Sequence, residues 1–162
     1  MQAFREALSN AAMWTLEAQS STGGGTSGSK PPPRKLDENE RRTKTILVVE
    51  DDPDVRAAVL EVLADESYGV VAVRNGVEAI RYLHYAPRLP DLILLDLQMP
   101  VMDGWTFKRK FDKEPKWRNI PVVIYSANLQ ARPISATVVL AKPITLTQLV
   151  DTITAHIKQE EN

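Results

Sequence analysis

The sequence predicts a doubly wound α/β domain built on a five-stranded parallel sheet. Two observations predict it. Short apolar runs at residues 46–49, 70–73, 92–95, 122–125 and 138–141 alternate with stretches in which apolar residues recur at helical spacing. Four of the runs also end alike. Glu50 and Asp51 follow the first, Asp96 the third, Ser126 the fourth and Lys142 the fifth. In a parallel sheet these ends lie along one edge, where open α/β sheets keep their ligand crevice.

The elements follow in order. Phe4, Leu8, Ala11 and Thr15 form a weak stripe, so residues 2–19 suit one short helix that is marginal on its own. Residues 20–34 read SSTGGGTSGSKPPPR, a Gly/Ser coil running into polyproline, which is linker composition. With the charged stretch 35–44 they make residues 1–44 a flexible extension, and the folded domain is expected over 45–160. The first strand is 46–49. Asp52-Pro53 then starts a helix, with a side-chain cap and proline at the first helical position. Val55, Ala58, Val59, Val62 and Leu63 continue it at helical spacing.

After the second strand, Asn75 and Glu78 have the spacing of a cap and its third residue. Val77, Ile80 and Leu83 give a helix that stops before Pro87. Leu92, Ile93, Leu94 and Leu95 form an unbroken apolar run, as in a strand buried on both faces. Asp96 ends it abruptly, and Pro100 and the Asp103-Gly104 pair turn the chain just afterwards. A third helix is expected over 105–111, with Trp105 and Trp117 as packing residues. Residues 128–137 contain Pro133 and hold at most one helical turn. Thr145 and Gln148 match a capping box, and Leu146, Leu149, Val150, Ile153 and Ile157 make the last helix amphipathic.

Bulk properties narrow the function. The absence of cysteine excludes disulfides, thiolate metal sites and cysteine nucleophiles. A net charge of −1 provides no basic field for nucleic acid or an anionic membrane. No apolar run approaches the roughly 20 residues of a membrane span. The amino terminus, with Arg5, Glu6 and Glu17, lacks a sustained apolar core, so no signal peptide is expected.

Three carboxylates converging on one point require a counter-charge. A hard divalent cation such as Mg²⁺ supplies it, because it takes oxygen ligands and pairs carboxylates with phosphate. Lys142 adds a positive point charge and Ser126 a hydroxyl donor. A phosphoryl group fits among these groups. A carboxylate can act as the nucleophile and form an acyl phosphate, and Asp96 is best placed to do so. Asp52 reads as a helix cap. His84 and His156 have no ligand partner at a suitable spacing.

The segments VVEDDP at 48–53, LLDLQMPVMDG at 94–104, YSA at 125–127 and AKP at 141–143 resemble, in this order, the receiver domain of bacterial two-component response regulators. The resemblance extends over residues 45–160. It implies a flavodoxin-like sheet of order 2-1-3-4-5 and a stand-alone receiver that accepts a phosphoryl group on Asp96. The donor it implies is a histidine kinase or a histidine phosphotransfer protein. Glu50, Asp51, Asp96 and the backbone carbonyl of Gln98 then hold Mg²⁺. Ser126 moves toward the phosphoryl group, Lys142 pairs with it, and Lys142-Pro143 is a cis peptide. The implied protein is a cytoplasmic phosphoacceptor that catalyses its own phosphorylation and dephosphorylation and is not a turnover enzyme. It signals in a phosphorelay by contact with a protein target, with no DNA-binding domain and no membrane attachment.

Two departures stand out. Val139 occupies the position, three before the lysine, where receivers often carry an aromatic switch residue. The interval from Ser126 to Lys142 is short, so the fourth helix is expected to be shortened or missing. Phosphorylation chemistry is then intact while relay across that face is altered. The alternative is a pseudo-receiver, a binding module of the same fold that works without phosphorylation. A small hydrolase with an aspartyl intermediate is disfavoured, since no separate general acid or base stands beside Asp96.

Overall fold

Residues 43–127 and 134–157 are described by a computed structural model of the chain. The expected helix over 2–19 and the linker over 20–34 lie outside the described residues. Five strands, β1 (Thr45–Val49), β2 (Gly69–Val73), β3 (Leu92–Leu95), β4 (Val122–Ser126) and β5 (Val138–Ala141), run parallel in the order β2-β1-β3-β4-β5. This is the 2-1-3-4-5 sheet that the resemblance implied. The helices among the described residues are α1 (Pro53–Asp65), α2 (Gly76–Tyr85), α3 (Gly104–Phe111) and α4 (Leu146–His156), with a 3₁₀ turn at Pro115–Trp117. None is long and apolar enough to cross a membrane.

Alternation along the strands divides the core between the two faces of the sheet. Leu47, Val49, Ile93, Leu95 and Ile124 face α2 and α3 and pack with Ala79, Leu83, Phe107, Phe111 and Trp117. Ile46, Val48, Leu92, Leu94 and Val123 face α1 and α4 and pack with Val59, Leu63, Leu149 and Ile153. Every residue of β3 is fully buried, which is why its sequence is an unbroken apolar run. Trp117 is buried and Trp105 packs against the same core, so both tryptophans are packing residues.

The helix ends are fixed by side chains. Asp52 accepts from the backbone N–H of Asp54 and Val55, and Asn75 from those of Val77 and Glu78. Glu78 Oε2 accepts from the N–H of Arg74, one residue before the cap, so the reciprocal bond closes a wider loop than a capping box. Asp103, expected to make a turn, is the cap of α3 and accepts from the N–H of Thr106 at 2.7 Å. Thr145 and Gln148 form the full reciprocal box. The carboxyl end of α1 closes in a Schellman arrangement: the Tyr68 N–H donates to Leu63 O, and the Ser67 N–H to Ala64 O. Ser67 takes the left-handed conformation there, with φ of 64°.

Between β4 and β5 the described residues, Ala127 and 134–137, contain no helix; residues 128–133 lie outside the described residues. Ile134 and Ala136 pack against the first core. Lys108, on α3 and only 6% exposed, donates to Ser135 Oγ at 3.0 Å and to Asp112. This stretch is therefore pinned to α3. Val138 and Leu140 pack on the second face, while Val139 points the other way and is 42% exposed.

Gly104 sets how closely α3 approaches β3. A Cβ there would lie 2.5 Å from Asp96 O and 2.7 Å from Leu97 Cα, both main-chain atoms. Gly104→Ala is therefore expected to cost about 1–3 kcal/mol, read by urea unfolding. Ser67→Gly relieves a left-handed serine and is expected to stabilise the fold by about 1 kcal/mol, seen as a raised melting temperature.

Candidate functional site

The site forms where parallel strands end in register. Val49 on β1 pairs with Leu95 on β3, and Leu95 pairs with Ile124 on β4. The next residues, Glu50 and Asp96, consequently emerge side by side, and the Asp96 N–H donates to Val49 O at 2.9 Å. Farther across, Ser126 pairs with Ala141, and the Lys142 N–H donates to Ser126 O at 3.0 Å. The Lys142-Pro143 peptide is cis.

Glu50, Asp51 and Asp96 each offer a carboxylate oxygen within 4.8 Å of the others. Glu50 is 1% and Asp96 4% exposed, while Asp51 is half-buried. Lys142 Nζ donates to Glu50 Oε2 at 2.9 Å and stands 3.6 Å from Asp96 Oδ1. Glu50 Oε1 accepts from the Asp52 N–H at 3.1 Å, and Asp96 Oδ1 from the Leu97 N–H at 2.8 Å. Ser126 Oγ is fully buried and makes no hydrogen bond. The sequence-derived residues Glu50, Asp51, Asp96 and Lys142 thus meet in one cluster. Gln98 lies two residues past Asp96 in exposed loop and contributes no side chain to it. His84 packs edge-on against Trp117, and His156 Nδ1 hydrogen-bonds with Thr152 O, so neither joins the carboxylates.

Two residues of the site are given no role by the sequence alone. Tyr125, adjacent to Ser126, donates its hydroxyl to Glu50 Oε2, and Lys142 Nζ sits 4.4 Å from the centre of its ring. Arg56, in the first turns of α1, donates from one guanidinium nitrogen to the carbonyls of Glu50 and Asp51 at 2.9 and 3.0 Å. A tyrosine in an apolar run reads as core, and an arginine early in a helix reads as a solvated face.

Burial pushes the Asp96 carboxyl above the ordinary aspartate range. Lys142 opposes this, the Glu50 charge adds to it, and the Leu97 N–H and the nearby Ser126 dipole oppose it. Burial, then the bond to Glu50, pushes the Tyr125 hydroxyl well above its usual range, so it remains a donor. The donor set is all hard oxygen, with three carboxylates against one ammonium. It fits a small divalent cation, and the buried, unpartnered Ser126 hydroxyl fits an added anion.

The sequence profile of the response regulator receiver domain matches residues 46–154. The response regulator PleD of Caulobacter vibrioides is 41% identical over 106 residues, covering 61% of this chain and 23% of its own length. The chain spans between 8% and 36% of the length of such curated relatives. Among solved structures, the receiver domain of a Pseudomonas aeruginosa PAO1 sensor histidine kinase superposes with a TM-score of 0.66 at 28% identity, covering 71% of this chain and 98% of that one. It was crystallised with a magnesium ion coordinated in its active site cleft. The phosphorylated cyanobacterial phytochrome response regulator RcpA gives a TM-score of 0.60 at 31% identity, covering 70% of this chain and 90% of that one.

The raised Asp96 pKa has a definite sign in stability. Its folded value lies above the ordinary 3.8, so its contribution is most favourable below that pH and is lost as pH rises through the folded value. In metal-free buffer, Asp96→Asn is expected to stabilise the protein at pH 7. That gain should fade toward pH 4, read by thermal unfolding in EDTA across the range.

Proposed function

The chain belongs to the receiver domain family of two-component response regulators, and from that membership we propose that it accepts a phosphoryl group on Asp96 in a Mg²⁺-dependent reaction. The family is a phosphoacceptor signalling family whose members work with histidine kinases. The donor proposed here is the phosphohistidine of a histidine kinase or a histidine phosphotransfer protein. The output is contact with a protein target in a phosphorelay. Its setting is then the cytoplasm, where ATP supplies the kinase. Residues 45–160 form the receiver and residues 1–44 an extension to it.

The observation that carries this reading is the position of Lys142 Nζ, 3.6 Å from Asp96 Oδ1, beside a cluster of three carboxylates. An Asp96 carboxylate oxygen forms a bond to phosphorus as the donor's phosphorus–nitrogen bond breaks. The imidazole nitrogen leaves with the electron pair. Lys142 offsets charge on the phosphoryl oxygens, and the unpartnered Ser126 hydroxyl donates to one of them. Asp51 and Asp96, with Glu50 and the carbonyl of Gln98, would hold Mg²⁺, which when bound neutralises charge on the transferred group. Leu97, through its N–H, orients the Asp96 carboxylate. Arg56 fixes the main chain that carries Glu50 and Asp51.

A second reading, a binding module of this fold that works without phosphorylation, is favoured by Val139, which offers no aromatic ring to change rotamer. Incubation with acetyl phosphate and Mg²⁺, followed by intact mass measurement, separates the two. A phosphate-sized gain is expected, absent in Asp96→Ala and formed about 10²-fold more slowly in Lys142→Ala. No gain in the unmodified chain would establish the second reading.

A further inference from the structure

Tyr125 belongs to the core on one face of the sheet, packed with Val48, Leu94 and Val123. Its hydroxyl nevertheless reaches Glu50 Oε2, 75 residues away in sequence. That same oxygen also accepts from Lys142 Nζ, whose ammonium lies over the Tyr125 ring. One buried carboxylate oxygen thus has two donors, one neutral and one charged. Lys142 leans toward it, at 2.9 Å, in preference to Asp96 at 3.6 Å.

An anion bonded at Asp96 draws the ammonium toward itself. Moving it strips the charged donor from Glu50 Oε2, while Oε1 keeps the Asp52 N–H, and a buried carboxylate oxygen left without a donor is costly. The neutral donor removes that obstacle. We propose that Tyr125 is a positioning residue whose hydroxyl keeps Glu50 Oε2 satisfied when Lys142 turns from Glu50 to an anion at Asp96. The ring serves the same exchange, because its π face attracts the ammonium while it moves. A tyrosine that only filled space would need neither its hydroxyl at Glu50 nor its ring under Nζ. The inference rests on the phosphoacceptor reading and extends it to a residue that reading does not use.

The test compares the unmodified chain with Tyr125→Phe, which keeps the ring and removes the hydroxyl. The first readout is beryllofluoride affinity in Mg²⁺, by calorimetry, at a temperature where both proteins are fully folded. Tyr125→Phe is expected to bind about tenfold more weakly. Affinities within twofold overturn the proposal while leaving the phosphoacceptor reading intact. Failure of the unmodified chain to bind removes that reading, and this inference with it. The second readout needs no metal. In EDTA, Tyr125→Phe should lower the melting temperature by roughly 5 °C, and by less than half as much in a Glu50→Gln background, where no charge remains to be served. An equal drop in both backgrounds assigns Tyr125 to packing and overturns the proposal.

Discussion

One ammonium group holds the carboxyl edge of the sheet together. Glu50 and Asp96 are buried side by side, and their like charges repel in a setting that solvates them poorly. Lys142 Nζ lies between them and reaches both. The strand register brings this about: the parallel ladder aligns the ends of β1 and β3, and the pairing of β5 with β4 sets where the lysine begins. A slip of one residue in any of these strands would turn the side chains to the opposite face. The apolar core and the charged cluster therefore depend on the same alignment.

The charge balance at this edge is left incomplete. One ammonium and the Arg56 guanidinium stand against three carboxylates, and a buried serine hydroxyl lacks a partner. The donor set favours a hard cation, and the hydroxyl and lysine favour an anion beside it. The fold supplies the supporting contacts from elsewhere: Arg56 from α1 and Tyr125 from the second core.

Much of this was legible in the sequence because it is periodic. Strands and helices were readable from repeating apolar positions, and Glu50, Asp51, Asp96 and Lys142 from their places at strand ends. The Asp52, Asn75 and Thr145 caps were readable because capping is a local matter of spacing. What was not legible depends on tertiary contact. Tyr125 has the sequence environment of a core residue, and only the sheet brings its hydroxyl to Glu50. Asp103 looked like a turn residue, and its role as a cap shows only once Thr106 is helical. Glu78 has capping-box spacing, yet the path of the chain at Arg74 presents a different N–H to it. Lys108 has the composition of an exposed helical face, but the returning segment at Ser135 covers it.

The close fit at Gly104 has a mechanical side. Its N–H donates to Leu97 O, and the space where a side chain would begin is filled by the main chain of Asp96 and Leu97. Farther along, the Gly76 N–H donates to Met102 O, and a Cβ on Gly76 would strike Met102 and Phe107. Backbone rests on backbone where α3 meets the end of β3, whereas the Met102 and Phe107 side chains stand between α3 and the start of α2. A shift of a few tenths of an ångström at Asp96 is therefore passed to α3 through main-chain contact, and beyond it to α2 through the Met102 and Phe107 side chains. The α3 flank is thus geared to Asp96 through main chain, while the β5 flank, where Val139 stands open to solvent, reaches Asp96 through the Lys142 side chain.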